Sequence, residues 1–181
     1  MCSSDLVLAL GETGLDYFRL NGRSVADMEW QRERFRTHIR AARRVDKPLV
    51  VHTRSASDDT IRLMEEEGAG TCGGVLHCFT ETQAVADAAL AQGFYISFSG
   101  IVTFKNAQSL RDVAASVPED RLLIETDSPY LAPAPHRGKT NDPSFVPLVA
   151  ASLAQVRGTT PEHIAEITTR NFERLFLKKI H

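Results

Sequence analysis

Four short apolar runs in this chain each lead into a residue type that binds metal ions, and that recurrence restricts the folds open to it. Residues 7–11 run into Glu12, residues 48–51 into His52, and residues 74–76 into His77. Residues 122–124 run into Glu125-Thr126-Asp127, just ahead of Ser128-Pro129. Runs this short and apolar read as buried strands, and helical patterns separate them. Alternation of that kind argues for an α/β fold with a parallel sheet and crossover helices. In barrels built this way the carboxyl ends of the strands form the rim where reactive residues collect. Glu12, His52, His77 and Asp127 are therefore the expected site residues.

Together they offer the oxygen and nitrogen ligands that divalent zinc, manganese or magnesium use, imidazole favouring zinc and carboxylate suiting the harder ions. One histidine after an apolar run is more often a core or rim residue. Four such strand ends in one chain are a different matter, since a two-ion site needs a bridging carboxylate and imidazoles from separate strands.

The helical stretches support the same architecture. Ser24, with Asp27 three residues on, has the form of a capping box. Met28, Phe35, Ile39 and Ala42 then fall on one face of a helix that runs to about residue 45. Its Arg32, Arg34, Arg36, Arg40, Arg43 and Arg44 read as a solvated outer face. Ser57 or Asp58 caps a second helix that stops at Gly68, and others cover residues 82–93 and 106–117. Residues 95–99 make a fifth strand, and a proline-rich loop spans 129–143. Two helices close the chain, one stopping at Gly158, the next with Thr160 as N-cap and Pro161 at its first position.

No repeat or linker divides residues 1–181, so a single domain is expected. A complete barrel of this type has eight strands in about 250 residues. Five strands in 181 residues therefore read as an incomplete TIM-barrel-like (β/α) fold, with the first three strand–helix units absent and residues 1–5 without a structural role.

No apolar stretch is long enough for a membrane span and no export signal is apparent. Cys2, Cys72 and Cys78 lack metal-binding spacing and are expected as free thiols in a cytoplasmic protein. A net charge of −2 makes the chain as a whole no electrostatic trap for nucleic acid.

Several ordered blocks resemble the TatD-type metal-dependent deoxyribonucleases, members of the amidohydrolase-like barrels. They are Gly11-Glu12-Thr13-Gly14-Leu15-Asp16-Tyr17, His52-Thr53-Arg54-Ser55-Ala56, Gly74-Val75-Leu76-His77-Cys78-Phe79-Thr80 and Ile96-Ser97-Phe98-Ser99-Gly100. The longest is Ile124-Glu125-Thr126-Asp127-Ser128-Pro129-Tyr130-Leu131-Ala132-Pro133, followed by Arg137-Gly138-Lys139, Asn141 and, in the last helix, Asn171-Phe172. The resemblance covers nearly the whole chain. It implies that Glu12 bridges two divalent ions, that His52 and His77 hold the second, and that Asp127 serves the first and acts on the attacking water. It implies, too, DNA as substrate, cleaved at phosphodiester bonds from an end by a metal-activated water; the sequence itself points to no membrane and no obligate protein partner.

The family's His-x-His pair, which completes the first metal site, occurs nowhere in this sequence. The expected activity of these 181 residues is accordingly weak or nil. A small-molecule amidohydrolase-type enzyme and a noncatalytic remnant are the alternatives. The first is disfavoured because those barrels commonly bridge their ions with a carboxylated lysine where this strand carries Glu12.

Other residues are open at this stage. Arg54, on the face of His52, either clamps a substrate phosphate or makes a structural salt bridge. Asp16 and Tyr17 either steady a loop or hydrogen-bond a metal ligand. Lys105 and Asn106 read as helix-capping residues, and His38, His163, His181 and His136 as solvated side chains.

Overall fold

A computed structural model describes residues 6–177. It holds one five-stranded sheet in the order β1-β2-β3-β4-β5, with every neighbouring pair parallel. The strands are β1 (Leu10–Asp16), β2 (Leu49–Arg54), β3 (Gly74–Leu76), β4 (Tyr95–Phe98) and β5 (Leu122–Ile124). The helices are α1 (Glu29–Val45), α2 (Ser57–Glu66), α3 (Gln83–Ala91), α4 (Gln108–Ser116), α5 (Val146–Arg157) and α6 (Pro161–Phe172). Sheet order thus follows chain order, and β1 and β5 are the two edges.

Strand alternation sorts the side chains into two layers. Leu15 of β1, Leu49 and Val51 of β2, Leu76, Ile96 and Leu122 face the helices. There they join Phe35, Ile39, Leu63, Leu110, Leu153 and Ile164 in the main core. The opposite face carries Val50, Val75, Tyr95 and Leu123, covered by Leu175 and Phe176 from a π-helical turn at Glu173–Leu177. Residues two apart share a face, so Glu12 and Asp16 lie opposite Thr13 and Leu15, and His52 and Arg54 lie on the side of Val50.

Two boundaries differ from the sequence reading. Glu12 does not follow a strand over 7–11; β1 starts at Leu10 and Glu12 is its third residue, next to a register shift between Leu10 and Thr13. His52 likewise lies inside β2, with Thr53 and Arg54 still paired to β1. Pairing with β1 keeps β2 extended beyond the apolar run, a long-range effect that hydrophobicity alone does not report. Gly14 makes the pairing possible: it sits at φ 130° opposite His52, and a Cβ there would collide with the His52 carbonyl.

Helix starts follow the sequence closely, with small shifts. Asp27 accepts hydrogen bonds from the Ser24 N–H and hydroxyl, yet the segment it opens is a 3-10 turn (Val25–Met28) that leads into α1. Ala56, not Ser57 or Asp58, precedes α2. The Thr160 hydroxyl accepts from His163 N at the start of α6, and Gly158 ends α5 in a left-handed conformation.

Arg32 and His38, read as solvated, are not. Arg32 is buried: its guanidinium donates to the Tyr17 hydroxyl, to Asp59, and to the carbonyls of Val25 and Ala26. Those acceptors come from the segment between β1 and α1 and from α2, and with Glu29 accepting from Nε every guanidinium nitrogen has a partner, which makes burial tolerable. His38 is half-buried and its Nδ1 lies 2.6 Å from the Thr13 hydroxyl, tying α1 to β1. Among the described residues no helix is long and apolar enough to cross a membrane. Cys2 and His181 lie outside the described residues.

Candidate metal centre

Glu12, His52, His77 and Asp127 line one cleft of about 1050 Å³ at the carboxyl side of the sheet. His77 comes directly after β3 and is the middle of the arrangement. Glu12, His52 and His77 each present a ligand atom within 4.8 Å of the others, and His77, Glu125 and Asp127 do the same. The rings of His52 and His77 are 5.7 Å apart between centroids. The sequence did not single out Glu125, although it follows β5 as directly as His77 follows β3; the same strand-end rule applied to both acids of Glu125-Thr126-Asp127 would have found it.

The residues fit a bound cation by a direct structural criterion. His77 Nε2 is buried and has no hydrogen-bond partner. It lies 3.0 Å from Glu12 Oε1, but without the alignment a hydrogen bond needs. A buried polar atom left in this state is rare, and a site for an ion is one of its few explanations.

Electrostatics agree. Burial lowers the affinity of His77 for a proton, but the Glu125 and Glu12 carboxylates outweigh it and raise its pKa to about 9. Burial also raises the Asp127 pKa, and the nearby Glu125 charge adds to that. Four carboxylates around two imidazoles hold excess negative charge, which a divalent ion would relieve. Burial pushes the Cys78 thiol up to about 12, so it offers no thiolate at neutral pH.

Asp127 is presented by a tightly held loop. It adopts a left-handed conformation, its carbonyl accepts from Tyr130 N, and the Asn141 side-chain amide donates to the carbonyls of Thr126 and Tyr130. Asn141 is buried, so residues 126–130 are held from beneath.

The rim differs from the floor. Phe18, Trp30 and Tyr130, at 53%, 45% and 71% exposure, line the cleft mouth together with Arg19, Arg23 and Arg54. Arg54 makes no salt bridge among the described residues; its guanidinium lies 3.6 Å from the Phe18 ring centroid. Tyr17 donates to Asp59 and steadies a loop, whereas Asp16 reaches His52. His136 stacks on Phe145 at 4.3 Å rather than standing free in solvent. His163 meets Glu119 on the outside, and Lys105 lies by α4 and α5, away from the cleft. Glu81, half-buried with its carboxyl pKa raised by burial, borders Ser57 and His52 and had no sequence signal.

A parallel sheet with helices packed on one face and histidines and acids gathered at its strand ends is the layout of barrel-like α/β proteins with a rim metal centre. The chain belongs to the TatD-related DNase family, whose model matches residues 1–177. It is 53% identical over 176 residues to the metal-dependent hydrolase YcfH of Escherichia coli K12, covering 97% of this chain and 65% of that protein. Identity to the 3'-5' ssDNA/RNA exonuclease TatD of Erwinia tasmaniensis is 33% over 181 residues, with 97% of this chain and 68% of that protein covered. Among solved structures, YJJV, a TatD homologue from Escherichia coli K12, superposes with a TM-score of 0.85 at 29% identity, covering 94% of this chain and 64% of that one. The chain thus spans about two thirds of the length of these relatives.

Proposed function

We propose that this chain carries the metal-binding part of a hydrolase that cuts phosphodiester bonds in nucleic acid, DNA first, from an end. His77 carries the reading: its unpartnered, buried Nε2 faces Glu12 with His52 alongside, as a ligand's would. Glu12, His52 and His77 would hold one divalent ion, and Asp127 with Glu12 a second more weakly. When bound, such ions activate water and neutralise phosphate charge.

The remaining steps belong to side chains of this protein. Asp127, its proton affinity raised by burial and by Glu125, takes the proton of the attacking water. Arg54, held flat on Phe18, meets a substrate phosphate with its outer edge. Tyr130 and Trp30 offer ring faces on which unpaired bases stack, while arginines track the backbone. Polarity of attack follows the Erwinia relative named as a 3'-5' exonuclease on single-stranded DNA and RNA. With no His-x-His in the sequence, the weaker ion rests on carboxylates and the 181 residues alone turn over slowly.

The test uses single-stranded DNA labelled at either end, with manganese, magnesium or chelator. Slow shortening from the 3' end that needs metal and disappears in Asp127→Asn is expected. Cleavage undiminished by chelator overturns the reading, as does preferential hydrolysis of small amides or lactones, which favours the amidohydrolase alternative.

A further inference from the structure

Each histidine of the centre is held between two carboxylates, and the two contacts differ in kind. His52 turns Nδ1 toward Glu12 Oε1 and Nε2 toward Asp16 Oδ2, both at 3.3 Å. His77 turns Nε2 toward Glu12 Oε1 at 3.0 Å and Nδ1 toward Glu125 Oε1 at 3.3 Å. The outer contacts, to Asp16 and Glu125, have hydrogen-bond geometry. The inner ones, to Glu12, have only the distance of an ion pair, and His77 Nε2 stays unpartnered.

We propose that Asp16 and Glu125 are positioning residues: each holds the outer N–H of one histidine, so that the inner nitrogen keeps its lone pair beside Glu12. This rests on the reading of Glu12, His52 and His77 as ligands. A neutral imidazole has one N–H and one lone pair, so fixing the first aims the second. The arrangement uses opposite ring atoms in the two residues: His52 would ligate through Nδ1 and His77 through Nε2. The Asp16 carboxylate and the backbone of Glu125 are themselves fixed in place. Gln31 of α1 accepts from Asp16 N and donates to Asp16 O, and Asp16 Oδ1 accepts from Phe18 N. Glu125 N donates to the Phe98 carbonyl at the end of β4. Helix α1 on one side and the strand ladder on the other thus set the two ring orientations. One oxygen of Glu125 is used on His77, which distinguishes its work from that of Asp127 in the same group.

The experiment measures zinc affinity and stoichiometry by competition with a chelating dye, and reads the tautomers of His52 and His77 in the zinc-loaded chain from nitrogen-edited imidazole spectra. In the unsubstituted chain His52 should carry its proton on Nε2 and His77 on Nδ1. Asp16→Ala and Glu125→Ala should each weaken zinc binding by about 10–100-fold with the number of ions unchanged, and the affected ring should lose its single tautomer. Asp16→Asn and Glu125→Gln, whose amide oxygens still accept from N–H, should recover most of the affinity. Unchanged affinity in the alanine variants overturns the proposal alone, as do the opposite tautomers. Loss of one bound ion in Glu125→Gln overturns it in favour of direct ligation by Glu125. A chain that binds no zinc at all overturns both this proposal and the ligand reading beneath it.

Discussion

Asp59 shows how much one buried charge controls here. Burial pushes its carboxyl pKa up, but hydrogen bonds from Arg62 and Tyr17 overcome that and hold it below the usual value. A depressed carboxylate stabilises the fold above its unfolded pKa of about 3.9, and that contribution disappears as pH falls through the folded value. Asp59→Asn, which leaves the buried Arg32 only the Glu29 carboxylate as a charge partner, should cost about 1–3 kcal/mol near neutrality. In urea unfolding the gap between variant and parent should narrow steadily below about pH 4; a gap that widens on acidification would contradict the assignment. His77 sets the scale at the centre itself. Because it alone belongs to both ligand groups, His77→Ala should reduce bound manganese more than Asp127→Asn does, as counted by equilibrium dialysis.

At the level of elements, Gly14 is the tight joint between β1 and β2. Gly14→Ala forces a Cβ onto the His52 carbonyl at a positive φ, so it should destabilise the fold by about 2 kcal/mol or more and loosen the histidine. Thermal unfolding with and without zinc measures both effects, and a neutral substitution would refute the close packing. Five strands, their order and the helix ends were legible because apolar runs, caps and stop residues are local signals. That Glu12, His52, His77 and Asp127 line one cleft was legible from the apolar runs before them, although Glu12 and His52 lie inside their strands and Asp127 in the loop after β5. Arg32, His38 and Asp16 were not, because their partners lie 27, 25 and 36 residues away in sequence and only folding brings them together. Glu12 was found but misplaced, as its strand continues through pairing with β2, which no run of β1 residues announces.

For the whole molecule, the proposed ion binding would be linked to stability. An ion that binds only the folded chain should raise its stability by about 2.7 kcal/mol at a hundredfold excess over Kd. Calorimetry with manganese, and again after chelator, should show a reversible rise in Tm; a Tm indifferent to both would argue against a formed centre.

With the proposed ligands, their positions in the sheet give the centre a stiff middle and soft flanks. His77 follows the central strand, His52 sits one strand out, Glu12 lies in β1, which among the described residues has a neighbour on one side only, and Asp127 lies in the loop after β5. Edge strands open at lower free energy than central ones. Warming should therefore fray the coordination from its margins inward, releasing the ion while β2, β3 and β4 still protect their amides from exchange. The expected outcome is a temperature of metal release below Tm.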